Sequence, residues 1–371
     1  MADTEILSAN NSTVQKWSAL LYKSVVKQLY FGRYVGTSED SVIQKKTDLI
    51  KEKGDKISFA LRRLLAGAGR FNDDAVETHE EALVFDDFLA TVVLWGNGVR
   101  AKGKMSERRP AFSLKAEMQP ALSDWMAEKM DVYTTLALSG LATGLEVDGS
   151  AIAAVAPSTN RKWFGGQTIT EVGTASVLEK TGTTDATIDS ATDNLFGPKV
   201  ISAIKRKAEL ATPTIRPAAT IDGKKYYVML IHPYQAKALK ADGEWRSEQL
   251  HAAERGMSNP LFTGMLGVHD GVVVHEYSRI ETRLGAGGTT ASEIFEAGDG
   301  CYNGIYVARA LFLGAQAGVH AYAQYPGWYE KNFEYGRVPG VWTDVIMAIQ
   351  KTVWNSEDYA VITVDTAYVP D

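Results

Sequence analysis

Two runs of alternating side chains, held apart by a polar stretch, limit what this chain can fold into more than any other feature. Ile57, Phe59 and Leu61 alternate with polar or small residues across Asp55 to Leu65, the period-two pattern of a strand with one apolar face. Ala66-Gly67-Ala68-Gly69 breaks the run. A polar, acidic stretch follows through Asn72, Asp73, Asp74, Glu77, His79, Glu80 and Glu81, and Leu83 to Trp95 is again strand-like. The pattern predicts an extended hairpin. At about 3.3 Å per residue, a strand over Asp55 to Leu65 reaches roughly 36 Å. A ribbon of that length protrudes from a compact domain, and two strands alone are marginal in water. It needs another surface to lie on.

The remaining elements alternate irregularly between helix and strand. Ser12 and Thr13 can cap a helix whose stripe is Val14, Trp17, Leu21, Val25 and Leu29, with Gly32 as the stop. A second short helix is expected over Ser41 to Lys53, ending at Gly54. The strongest helical pattern places Leu114, Met118, Leu122, Trp125, Met126, Tyr133 and Leu136 on one face and ends at Gly140; Pro120 either starts or kinks it. Ser158 to Asn194 reads as a long loop with short strands. Pro198 to Leu210 is a Pro-started helix, and Tyr226 to Ile231 a buried strand. His232-Pro233 opens a helix through Leu239. Glu244 to Arg255 is helical, Gly271 to Tyr277 a strand, and Leu284 to Thr290 a Gly-rich turn. Ala308 to Tyr322, apolar on all sides, reads as a buried helix. Val341 to Val353 and Tyr359 to Val369 read as strands around Asn355-Ser356. No segment repeats, and the mixture is that of an α+β fold. A chain of 371 residues is expected to divide into two or three units.

Catalytic patterns are incomplete wherever they begin. Gly98 to Lys104 has the glycine and lysine spacing of a phosphate-cradling loop, but Met105 follows, with no hydroxyl for magnesium. A solvated basic turn is the simpler reading. Glu77, His79, Glu80 and Glu81 lack a second histidine at helical spacing, as does His275-Glu276. Gly285-Ala286-Gly287-Gly288 lacks the rest of a dinucleotide fingerprint. Asp185, Asp189 and Asp193 are spaced by four, not by the two of a calcium loop. No catalytic, cofactor or metal residues are assigned, and the chain is expected not to be an enzyme.

Composition narrows the class further. Cys301 is the only cysteine, so no disulfide can form within the chain, and it reads as a small buried residue. The formal net charge is −6, unlike that of a dedicated nucleic-acid binder. It suits a container whose wall does not hold phosphates tightly. No apolar run is long enough for a membrane span. Met1 to Ser12, with Asp3 and Glu5, does not read as a secretory signal.

Ordered motifs then run through nearly the whole chain. They are Lys53-Gly54-Asp55, Leu64-Leu65-Ala66-Gly67, Glu80-Glu81-Ala82-Leu83 and Met105-Ser106-Glu107-Arg108-Arg109 with Ala111-Phe112. His232-Pro233-Tyr234-Gln235 and Asn259-Pro260-Leu261-Phe262-Thr263-Gly264 follow. Leu313-Gly314-Ala315-Gln316-Ala317, Glu334-Tyr335-Gly336 and Asn355-Ser356-Glu357-Asp358-Tyr359 complete the set, the last running into Val361 to Ala367. On these the chain resembles the tailed-bacteriophage major capsid proteins of the coliphage N-four-like coat family, which have the Hong Kong ninety-seven fold. Three positions depart from that pattern: Thr78-His79 before Glu80, Arg337 after Gly336, and Pro120 within the long helix.

The resemblance implies a division of the chain. Residues 1–54 would be an N-terminal arm and 55–110 the extended loop. Residues 111–230 would form the peripheral domain with its spine helix, 231–324 the axial domain, and 325–371 strands returning to the peripheral domain. It implies self-assembly into pentamers and hexamers of an icosahedral shell, with scaffold, portal and decoration proteins as partners. Double-stranded DNA would lie on the inner face without sequence specificity, and no membrane is involved. The chain would be made in the host bacterial cytoplasm and reside in the virion. An alternative of the same fold is a compartment shell enclosing a protein cargo. A more distant one is a carbohydrate- or nucleotide-active enzyme with a ligand-filled cleft. Two expectations about surfaces follow. Trp17, Tyr22, Tyr30, Phe31 and Tyr34 would be exposed in a lone subunit. Arg100, Lys102, Lys104, Arg108 and Arg109, at the returning base of the loop, would pair with acidic residues of a neighbour.

Overall fold

Two sheets and one long helix organise the chain. The computed structural model describes residues 25, 29–62, 80–83, 85–104, 109, 114–147, 149–165, 169–172, 175–178, 188, 194–221, 223–251, 264–280, 282–284, 306–354 and 357–369. Of the stripe and stop of the expected first helix only Val25, Leu29 and Gly32 are among them, and Phe31–Arg33 form a 3-10 turn. The 66–79 loop, Trp17, Tyr22, Arg108, the aspartate series, Gly285 to Gly288 and Cys301 lie outside them.

The first sheet contains five strands. They are β1 (Val35–Gly36), β2 (Ile43–Lys46), β5 (Val93–Arg100), β11 (Gly318–Phe333) and β12 (Val338–Lys351). Their order is β1-β2-β11-β12-β5, with β2 parallel to β11 and the last two pairings antiparallel. The hairpin is a separate ribbon of β3 (Lys56–Arg62) and β4 (Phe85–Thr91), registered from Lys56 opposite Thr91 to Arg62 opposite Phe85. The second sheet has eight strands. Its backbone order is β8 (Gly267–His269), β9 (Val272–Glu276), β7 (Lys224–Ile231), β10 (Tyr306–Leu313), β13 (Val361–Ala367) and β6 (Lys162–Phe164). Ala219–Ile221 and Thr282–Leu284 add short edges to β7 and β10.

The helices are α1 (Leu114–Ser139), α2 (Pro198–Leu210), α3 (Pro233–Ala241) and α4 (Gly243–His251). Pro120 sits inside α1 at its seventh residue, past the first turn, so it removes the hydrogen bond to the Ala116 carbonyl rather than starting the helix. Gly140 ends α1 at φ +75°; its N–H bonds to the Ala137 carbonyl and that of Leu141 to Leu136. A Cβ on Gly140 would sit 2.7 Å from the Val155 carbonyl oxygen, so the residue is fixed by both conformation and space. Leu122, Met126 and Met130 of α1 pack on Val93, Trp95, Val345 and Met347 of the five-stranded sheet. The eight-stranded sheet forms the larger core with α2 to α4, joined by Phe31, Tyr34 and Leu138.

Three expectations are corrected here. Ser41 to Lys53 is not a helix but β2 followed by one 3-10 turn at Asp48–Ile50. Ala308 to Tyr322 is not a helix but the end of one sheet and the start of the other, β10 and β11, turning at Gly314 to Ala317. Gly314 lies against backbone there: a Cβ would meet the Arg216 carbonyl oxygen at 2.5 Å. Leu83 to Trp95 is not one strand. It breaks at Val92, so that β4 belongs to the hairpin and β5 to the five-stranded sheet.

Candidate assembly surfaces

The hairpin has one covered face and one open face. Ile57, Phe59 and Ala90 are buried in the main core, and Phe88 reaches Trp354 edge-on with centroids 6.3 Å apart. The ribbon's base therefore docks on its own subunit. Strand alternation turns Phe85 and Leu89 to the opposite side, where they are 59% and 52% exposed.

A second open face belongs to the five-stranded sheet. Helix α1 covers the side that carries Trp95, Val341 and Val345. The other side presents Leu94, Trp342 and Tyr329, and Trp342 stands opposite Gly98 on β5 and Tyr329 on β11. The glycines explain the shape of this face. A Cβ on Gly98 would lie 2.6 Å from the Trp342 ring, and one on Gly327 2.8 Å from the Tyr329 ring. Both rings thus lie down on bare backbone. A polar chain staples them: Trp342 Nε1 donates to Asp344 Oδ2 at 3.3 Å, and Gln324 Nε2 donates to both Asp344 Oδ1 (3.2 Å) and the Tyr329 hydroxyl (3.1 Å). Burial holds the Asp344 carboxyl above its ordinary range, with the Trp342 hydrogen bond pulling the other way. Gly98, read from sequence as the start of a basic turn, is thus a strand residue in close approach, as is Gly96, and the phosphate-loop spacing at Gly98 to Lys104 begins inside β5.

The arm root is buried, against expectation. Phe31 and Tyr34 are 0% and 3% exposed, and Tyr30 stacks on Tyr277 at 4.2 Å. Asp131 of α1 accepts the backbone N–H groups of Tyr30 and Phe31 at 2.9 and 3.2 Å. Residues 30–34 are thus held by Tyr277 and by Asp131 of α1 rather than left exposed.

The basic cluster is split. Arg100 pairs within the chain with Glu334 at 3.0 Å and lies over the Phe333 ring at 4.5 Å. Lys102, Lys104 and Arg109 are exposed.

Several sequence motifs prove to be joints. His232 caps α3: its side chain accepts from the Tyr234 N–H at 3.3 Å, while Gln235 accepts from the His232 N–H at 3.1 Å. Buried Gln235 then donates to Ala308 O and Thr366 Oγ1, both at 2.8 Å, pinning α3 to β10 and β13. Glu334, Tyr335 and Gly336 form the β11–β12 turn with φ of +51°, +54° and +77°. Asp358 makes a buried ion pair with Lys351 at 2.9 Å. Arg309, which no motif signalled, holds Asp365 through two contacts of 2.8 and 2.7 Å and reaches the Ser139 carbonyl at the end of α1. Among the described residues no group of His, Cys, Asp or Glu gathers as a metal site, and no helix is long and apolar enough to cross a membrane.

Comparison with known proteins agrees with this architecture. Residues 5–370 match the family described as phage capsid protein. The chain is 26% identical to the major capsid protein of Pseudomonas phage KPP25, covering 98% of this chain and 97% of that one. The capsid of Ralstonia phage GP4 superposes with a TM-score of 0.75 at 28% identity, covering 92% of both chains. The Cyanophage Pam1 capsid, at 23% identity, shares the fold with a TM-score of 0.71 over 93% of this chain and 94% of that one. The chain belongs to the phage capsid protein family and has the Hong Kong ninety-seven-like fold of its shells.

Proposed function

We propose that the two open faces are the contacts through which copies of this major capsid protein close the icosahedral head shell of a tailed phage. The observation that carries this reading is the hairpin itself. Its base is docked at home through Ile57, Phe59 and Phe88, yet Phe85 and Leu89 on the other face are 59% and 52% exposed. A subunit repeated many times covers such faces with neighbours, and many modest interfaces add up. The role is structural, with no chemical turnover, and the protein is a component of the virion.

Finer assignments belong to the same reading. We take residues 1–54 as the arm, 55–110 as the extended loop, 111–230 as the peripheral domain, 231–324 as the axial domain and 325–371 as the returning strands. Three features support it: the separate hairpin, the five-stranded sheet on α1, and the eight-stranded sheet. The last draws on segments before residue 231 and after residue 324 as well. Pentamers and hexamers, scaffold, portal and decoration proteins, enclosed double-stranded DNA and membership of the coliphage N-four-like coat family complete the proposal. The ordered sequence motifs support it.

The test replaces Ala66 to Glu81 with a short turn that closes the two strands. The deletion leaves β3 and β4 intact, so circular dichroism and the melting temperature should stay close to wild type. Particles should fail to form, or assembly should stop at capsomers, as read by sedimentation and electron microscopy. Normal particles would sink the assembly role of the loop. Loss of the fold would place the segment in a core.

A further inference from the structure

His320 is a buried imidazole that neither open face uses. It is 3% exposed and lies on β11 where three elements meet. Register places it between Lys45 of β2 and Ile349 of β12. From the spine helix, Thr134 Oγ1 lies 3.0 Å from His320 Nε2. The Thr134 hydroxyl gives its one hydrogen to the Met130 carbonyl at 2.7 Å, so the imidazole is the donor through Nε2. The neutral ring meets this contact with its Nε2–H. Its register partner across β2 is the cation Lys45, whose ammonium lies 4.9 and 5.0 Å from the Tyr322 and Tyr325 ring centres.

The element beside it is short and held from several sides: Ile43 is buried in the main core, β1 pairs along its other edge, and Lys46 Nζ donates to Ser58 O at 3.0 Å. β2 has four residues, paired in parallel from Ile43 opposite Gly318 to Lys46 opposite Ala321. Backbone bonds lead into it from Gln316 N–H to Ser41 O and from Ala317 N–H to Val42 O, each 2.8 Å, from Gly318 N–H to Val42 O at 3.3 Å, and from Ile43 N–H to Tyr34 O at 3.0 Å.

We propose that His320 is an acid-sensitive latch: its protonation sets a second positive charge beside Lys45 and releases β2 from the five-stranded sheet while the rest of the subunit stays folded. Calling β2 part of the arm rests on the division proposed above; the latch itself is a property of the subunit and is tested there.

Burial first, and then Lys45, lower the His320 pKa from 6.5 to about 4. The folded-state value lies below the unfolded one. The stability tied to the neutral ring is therefore complete above about pH 6.5 and is lost as the pH falls through about 4. Other groups near the arm root behave differently. Burial raises the Asp131 carboxyl, with its bonds from the Tyr30 and Phe31 N–H groups pulling the other way, so by linkage acid does not destabilise the fold through this group. Glu128 is paired with Arg279 at 3.2 Å on the surface, and Lys351 with Asp358 at 2.9 Å.

Hydrogen exchange read by mass spectrometry on the full chain, between pH 8 and 4 and corrected for intrinsic exchange rates, tests the latch. In wild type the opening of Ile43 to Lys46 should grow roughly 30-fold by pH 5 and roughly 100-fold by pH 4. The amides of β10 and β13 should keep their protection. His320→Gln keeps an amide donor for Thr134 and cannot titrate, so the growth should fall below about threefold. Lys45→Met removes the repelling charge and should reduce the growth relative to wild type. Equal growth in His320→Gln and wild type overturns the proposal, as does opening of β10 and β13 together with β2. If His320→Gln does not fold, Lys45→Met decides, and growth equal to wild type overturns the latch.

Discussion

The two sheets bury apolar residues by opposite rules. In the eight-stranded sheet, all of Val361 to Ala367 and six successive residues of β7, Tyr226 to Ile231, are buried. Both faces are covered, as in the continuous apolar runs of fully enclosed strands. In the five-stranded sheet, burial alternates. On β12, Val341, Thr343 and Val345 are buried against α1, while Trp342 is 47% exposed. One sheet is complete within the subunit. In the other, one face stays open among the described residues, and the proposed assembly role falls to that face.

The sharpest break of this comparison lies in the enclosed sheet. Arg309 and Asp365 are both nearly inaccessible and bonded through two parallel contacts, with Arg309 also at the Ser139 carbonyl. Asp365→Ala leaves that guanidinium buried without its partner and should destabilise the subunit by about 3–5 kcal/mol. The double change Arg309→Met with Asp365→Leu should recover most of the loss. Denaturant unfolding of unassembled subunits checks both, and a double variant no better than Asp365→Ala would place the strength in the pair itself.

Within the five-stranded sheet, two tryptophans on opposite faces should part company. Trp95 packs against Trp125 and Tyr133 at 5.8 and 5.3 Å, so Trp95→Ala should cost about 3–5 kcal/mol of subunit stability. Trp342→Ala should cost about 1 kcal/mol or less. It should instead lower the yield of particles, because exposed, well-oriented Trp and Tyr side chains carry much of the energy of interfaces. Thermal melts of subunits beside electron microscopy of assembly reactions separate the two effects. A Trp342→Ala protein that assembles as wild type does would leave this face outside the shell contacts.

The same contrast governs how much could be read from sequence. The hairpin, α1 with its Gly140 stop, α2, β7, α3 and the C-terminal strands were all legible, because each has its own periodicity and its own punctuation. Ala308 to Tyr322 misled for a physical reason. A strand enclosed on both faces is apolar on every side, as is a buried helix, and periodicity alone cannot separate them. Gly314 was the available signal, since it marks where the chain leaves one sheet for the other. Ser41 to Lys53 misled because β2 is only four residues long and takes its structure from β11. The open faces were half legible. Phe85 and Leu89 follow from alternation along β4. The Trp342 and Tyr329 platform depends on Gly98, which only the strand register brings beneath the Trp342 ring, and on Gly327, two residues before Tyr329 on the same face of β11.

The smallest expected effect concerns the basic cluster at the foot of the hairpin. Arg100 meets Glu334 in its own chain, and both side chains are more than half exposed, at 52% and 64%. Such a pair contributes about 0–1 kcal/mol and is screened by salt. A double-mutant cycle with Arg100→Gln and Glu334→Gln should give a coupling of about 0.5 kcal/mol or less at physiological ionic strength. Arg100→Ala should cost somewhat more than Arg100→Gln, because it also strips packing from the Phe333 ring. The exposed Lys102, Lys104 and Arg109 are the members of the cluster free to act between copies if Arg100 is engaged at home. Reversing those three to glutamate should lower particle yield and steepen its dependence on salt, whereas Arg100→Glu alone should change yield far less. Equal losses from the two constructions would return Arg100 to the interface. No loss from either would mean that the whole cluster is merely solvated.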